Sequence, residues 1–169
     1  MSGYLSTDKC KVLAHSFISS VSGYCPLVWS FSNRTAMTKL ERINERANIV
    51  LSSEISSKTL HRNHCEILLK EMFKTKHGLN PSYMHEVFRA RNICYNLRSG
   101  NSFMRQRTRT TKHGLQTASN IGIHLWDSLP DSAKSLTSVT DFCRSVSKLD
   151  SLNCRCHLCA VYVPNLGYL

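Results

Sequence analysis

TLHRNHCEILLKEMFKTKHGLNP, residues 59–81, sets the fold class of the whole chain. Cys65, Leu68, Leu69, Met72 and Phe73 recur at i, i+3, i+4, i+7 and i+8, the stripe of a helix with one buried face. Gly78 supplies the residue that can turn left-handed after the last turn, and Pro81 cannot continue a helix, so the spacing predicts a helix from about Thr59 to Lys76. Upstream, Thr38 and Glu41 have the form of a capping box, with Leu40, Ile43, Ala47 and Val50 on one face and Lys39, Arg42, Glu45 and Arg46 on the other. Further upstream, Cys10, Leu13, Ala14, Phe17, Ile18 and Val21 form another apolar stripe, started by Thr7 or Asp8 and stopped by Gly23 and Pro26. Tyr24, Pro26, Trp29 and Phe31 read as a helix-ending turn whose rings pack on the core.

Downstream, Pro81 restarts a short helix through Met84, Val87 and Phe88. From Arg89 to about Leu115 the helical period vanishes among Asn, Ser and Gly. Order returns at Ile121–Leu129 around a core Trp126 and ends at Pro130. Ser138 with Asp141 then caps a last amphipathic helix through Val139, Phe142, Cys143, Val146 and Leu149. The expected fold is mainly α: a helical bundle at 1–88, an irregular basic arm at 89–120 and a small helical Cys-rich end at 121–169.

A length of 169 residues is enough to bury a core, roughly two-thirds of the unfolded surface. With 41% hydrophobic and 20% charged residues the chain is too apolar for a disordered tail, and no run of 18 apolar residues suggests a membrane span. The first 25 residues lack the pattern of a signal peptide, so an intracellular protein, cytoplasmic or nuclear, is expected. The net charge of +11 favours polyanionic partners over acidic-patch proteins, and no membrane or small-molecule partner is expected.

That charge is concentrated. Residues 87–126 hold 7 basic side chains and no acidic one, while residues 127–169 hold 4 of each. Arg89, Arg91, Arg98, Arg105, Arg107, Arg109 and Lys112 form the tract. Arg105, Arg107 and Arg109 alternate, which in an extended chain presents guanidinium forks to successive phosphates. Tyr95 and Phe103 interleave with them as candidates for stacking on unpaired bases.

Eight cysteines in such a chain read as reduced thiols or metal ligands. Cys154, Cys156 and Cys159 offer three thiolates within six residues, and tetrahedral zinc wants a fourth ligand, for which His157, Cys143 and His124 are candidates. Reduced structural thiols are the alternative. His61, His64 and Cys65 stand at i, i+3 and i+4, but Cys65 belongs to the apolar stripe, and the group reads as a core thiol beside surface histidines. Nothing resembles a nucleophile elbow or an oxyanion loop.

Several strings go further. Ser16-Phe17-Ile18-Ser19-Ser20 with Tyr24-Cys25-Pro26-Leu27-Val28-Trp29 resembles the segment downstream of the polymerase core in reverse transcriptases of non-LTR (LINE-type, jockey-like) retrotransposons. The likeness continues in order through the stretch from Leu40 to Ala47, that from Met72 to Pro81, Tyr95-Asn96-Leu97-Arg98, Trp126-Asp127-Ser128-Leu129-Pro130 and Cys154-Arg155-Cys156-His157-Leu158-Cys159. The stretch between Val50 and Thr59 is shorter than in such relatives, and His157 fills a slot that is commonly Arg. The resemblance implies a thumb-like bundle and basic tail that bind RNA or DNA, partnered with a polymerase core absent from this sequence. No aromatic-x-Asp-Asp string occurs, so no polymerase activity is expected of the chain by itself. The competing class is a transposon-derived structural or interaction remnant with no activity of its own.

Overall fold

The computed structural model describes residues 6–31, 34–50, 59–91, 102–110, 114–156 and 159. It is mainly helical, with no strand among these residues and one isolated antiparallel bridge, Ala90 to Phe103. The chain divides into two compact units, residues 1–64 and 65–169. These cut across the three regions distinguished in the sequence.

In the first unit, α1 (Thr7–Ala14) runs into a π-helical turn, His15–Ser19, and then α2 (Ser20–Ser22). The Ser20 hydroxyl donates to the Ser16 carbonyl within this turn. The expected single stripe is therefore dephased: a π turn inserts an extra residue and rotates the helical face beyond it. Phe17 and Val21 are 71% and 72% exposed rather than buried. They line an open apolar groove of about 420 Å³ with Ile18, Leu40, Ile43 and Leu60. α3 (Pro26–Trp29) has its proline in the first turn, preceded by Cys25 at φ 44°. Pro26 and Phe31 are buried as expected of this turn, whereas Tyr24 points to solvent.

α4 (Arg34–Val50) begins four residues before Thr38, so the expected capping box does not form. Thr38 instead donates to the Arg34 carbonyl, and Glu41 caps a different helix. Its carboxylate accepts from the backbone N–H of Leu60 (3.1 Å) and of His61 (2.6 Å), the first residues of α5 (Leu60–Lys76). Those groups have no partner inside their own helix, and a negative charge suits the positive end of its dipole. Thr59 completes the start by accepting from Arg62 N–H.

His64 is fully buried in this unit. Its Nε2 is 3.2 Å from the Ser22 carbonyl, which can only accept, so Nε2 carries the proton and Nδ1 accepts from Ser30 Oγ at 2.7 Å. Burial pushes its pKa down to about 4 from 6.5, against the bond to Ser22 and helped by His61. The depressed folded value means that neutral His64 contributes fully above about pH 6.5 and that this contribution is lost as the pH falls towards 4, about 3 kcal/mol across the window. Following the His64 ring protons by NMR should give a midpoint near 4; one near 6.5 would contradict the buried, neutral ring.

The second unit holds the rest of α5, then α6 (Tyr83–Val87), α7 (Ala118–Ser128), α8 (Asp131–Lys134) and α9 (Val139–Ser147). α5 ends as read: Gly78 has φ 68°, and Leu79 N–H reaches the Lys74 carbonyl at 2.8 Å. α9 starts as read, with Ser138 Oγ accepting from Asp141 N–H. Asp141, however, turns to Arg144 at 3.0 Å instead of closing the box. Gly122 lets α7 approach α5, since a Cβ there would sit 2.7 Å from Met72 Sδ. Around this contact Phe73 stacks on Phe142 with centroids 4.3 Å apart, and Trp126 packs against Phe142 at 5.9 Å and Phe103 at 5.2 Å. Lys76 Nζ lies 5.5 Å from the Trp126 ring centroid. No helix among the described residues is long and apolar enough to cross a membrane.

Candidate metal centre and basic ribbon

Residues 151–156 have no helix or strand geometry, yet Cys154 and Cys156 are buried. A segment without its own ladder of backbone bonds is fixed by what its side chains reach. The sulfurs of Cys154, Cys156 and Cys159 lie together, and the ring of His61, in the first turn of α5, joins them: one ligand atom from each of the four falls within 4.8 Å of all the others. Cys65 stands four residues after His61 on the same unbroken helix, so both side chains leave one face, one above the other. The Cys65 thiol hydrogen-bonds with that of Cys154.

His61 is well positioned for such a role. Glu41 anchors its backbone N–H, and Phe31 meets its ring edge-on at 6.1 Å. The neighbouring Cys156 thiol does most to push the Cys154 thiol above its ordinary range; Cys65 and burial add to this, and Cys159 opposes it. So many sulfurs in a half-buried space do not ionise together without a cation to balance them. Three sulfurs and one imidazole nitrogen form a donor set that fits tetrahedral zinc and can hold a metal ion.

The fourth-ligand candidates read from the sequence are corrected accordingly. Cys143 lies half-buried on α9, and neither it nor His124 belongs to the group. His157 is outside the described residues. His61 was the member missed. Its spacing to Cys65 was visible, but the reading of surface histidines fails, because His64 is buried against Ser30 and His61 sits beside the cysteines.

The basic tract is partly described. Tyr95, Arg98 and Lys112 lie outside the described residues. Around the bridge, Arg91 N–H donates to the Ser102 carbonyl at 3.1 Å and Met104 N–H to the Arg89 carbonyl at 2.8 Å, pairing two extended segments into a short ribbon. Arg89 and Arg91 lie on it, Arg105 just beyond it and Arg107 and Arg109 further along the chain, and all five are exposed. Phe103 is not available to stack on a base: it is 3% exposed, wedged edge-on between Phe88 at 6.3 Å and Trp126. It is the anchor of the ribbon. Arg105 pairs with Asp127 of α7 at 2.9 Å, and Ser102 Oγ donates to the same carboxylate at 2.7 Å. Among the described residues Arg107 and Arg109 form no ion pair.

No protein-family model, curated protein or solved structure matches the chain.

Proposed function

We propose that the chain is a zinc-stabilised nucleic-acid-binding module, the C-terminal portion of a LINE-type reverse transcriptase that lacks the catalytic core. The observation that supports it best is the ribbon itself. Arg89 and Arg91 sit on, and Arg105 next to, two paired segments whose buried Phe103 is clamped by Phe88 and Trp126, and the exposed Arg107 and Arg109 continue the chain beyond them. Clustered, exposed arginines suit a phosphodiester chain, and neutralised phosphates release counterions on binding. Zinc, held by Cys154, Cys156, Cys159 and His61, supplies no chemistry of its own in this reading. It ties an otherwise irregular segment to α5.

The test is a titration of labelled single-stranded RNA across salt concentrations. Arg107→Ala with Arg109→Ala should weaken binding at low salt by about tenfold or more, and should flatten the log–log salt slope by about 1.4, or roughly 0.7 per lost phosphate contact. An unchanged slope removes the arginine tract from the reading.

A second reading, a transposon-derived structural remnant, is favoured by the burial of Phe103 and by the Arg105–Asp127 pair, both of which serve packing. It expects no RNA binding by the wild-type protein.

A further inference from the structure

Asp127 is the first acidic residue after Glu86, and it closes the acid-free stretch of the sequence. It stands in the last turn of α7, the end of a helix whose dipole disfavours negative charge. The fold returns it to the arginine tract. One carboxylate oxygen accepts from Ser102 Oγ at 2.7 Å and the other from a terminal nitrogen of Arg105 at 2.9 Å. Ser102 and Arg105 lie on either side of buried Phe103, so a single carboxylate grips the chain before and after its aromatic anchor. Further along, the even-numbered residues tie the chain down. Gln106 Nε2 donates to the Val87 carbonyl at 3.4 Å, and Thr108 abuts Gly114, where an added Cβ would sit 2.7 Å from Thr108 Cβ. Arg107 and Arg109 alternate with them, are exposed, and form no ion pair among the described residues. Three arginines that look equivalent in the sequence therefore differ: the charge of Arg105 is balanced, and the other two are not.

We infer that Asp127 is a positioning residue that sets which arginines meet the phosphates: it retains Arg105 against α7 and leaves Arg107 and Arg109 as the phosphate ligands. This rests on the proposed nucleic-acid-binding reading and narrows it. Moving Arg105 onto a phosphate strands the Asp127 carboxylate beside a polyanion, and that like-charge contact offsets the bond gained. The phosphodiester path accordingly runs over Arg107 and Arg109 and stops short of α7. An ion pair this open to solvent, with the Arg105 side chain 62% exposed, adds little to stability, and Phe103 is buried by rings that the pair does not touch. The effect of Asp127 therefore falls on binding more than on folding.

The experiment uses the full chain and a short labelled single-stranded RNA, read by fluorescence anisotropy over a range of salt, with the melting temperature of each variant as the measure of folding. Asp127→Asn removes the charge and keeps an oxygen that can accept from Ser102. Combined with Arg105→Gln, it removes the balanced pair as a unit. Asp127→Asn should bind roughly three- to tenfold more tightly at low salt and steepen the log–log slope by about 0.7, the value of one added phosphate contact on a single strand. The double variant should keep the wild-type slope and an affinity within about twofold, since the pair it lacks carries no net charge. A structural role alone would shift melting and leave the slope of the single variant unmoved. A double variant that loses affinity and slope shows Arg105 already on a phosphate and overturns the assignment, even where Arg107→Ala with Arg109→Ala still weakens binding and the wider reading stands. Asp127→Asn with no gain in affinity or slope overturns it as well. A wild type that ignores RNA altogether overturns the binding reading and this assignment together.

Discussion

Cys154→Ser should lower zinc affinity by more than a hundredfold, or above about 2.7 kcal/mol, and leave the C-terminal segment without its tether. Ligands in a closed four-donor site are not interchangeable with hydroxyls, and for small zinc modules the metal-binding energy is itself folding energy. Competition with a chromophoric chelator gives the affinity, and the melting temperature with and without chelator gives the stability. His61→Ala should act in the same direction. Cys65→Ala should keep one equivalent of zinc, because this thiol borders the group through its bond to Cys154 without completing it. A wild type that purifies metal-free and melts at the same temperature in chelator would remove zinc from the account.

Trp126→Ala should cost about 4 kcal/mol, a large fraction of a domain's total stability, given the 3–5 kcal/mol typical of a buried large aromatic. Trp126 is fully buried at a junction: Phe103 reaches it from the ribbon, Phe142 from α9 and Lys76 from α5. Its loss opens a cavity that three elements must share, and surroundings relax only partly around such a hole. Denaturant unfolding monitored by far-UV circular dichroism measures the effect. Phe103→Leu offers a milder comparison, since it keeps an apolar side chain at the same place. Loss of less than 1 kcal/mol on Trp126→Ala would mean that the aromatic junction does not carry the second unit.

The helical framework was legible because its signals are local. The 59–81 stretch carries its stripe, its stop at Gly78 and its proline within one window, and the helix runs from Leu60 to Lys76. Ser138 with Asp141 likewise announced the start of α9. Residues whose partners lie elsewhere were misread. Glu41 seemed to cap its own helix and instead caps one that starts at Leu60, since a carboxylate satisfies whichever amide groups come near. Phe103 stood among arginines and looked like a base-stacking ring, yet its buried partners are fifteen or more residues away. The metal group was split the same way. Two suggestive spacings, His61 with Cys65 and Cys154 with Cys156 and Cys159, each fell short of a complete donor set, and only the folded chain brings them together.

During synthesis His61 leaves the ribosome about ninety residues before Cys154. At roughly 5–20 residues per second that interval lasts several seconds, in which the imidazole lacks the three clustered sulfurs of Cys154, Cys156 and Cys159. Were a metal ion held by all four residues, that tie would be among the last to be made in a newborn chain. Such a cross-link, spanning so long a loop, would restrict the unfolded ensemble most, so that resistance to unravelling would come late in synthesis.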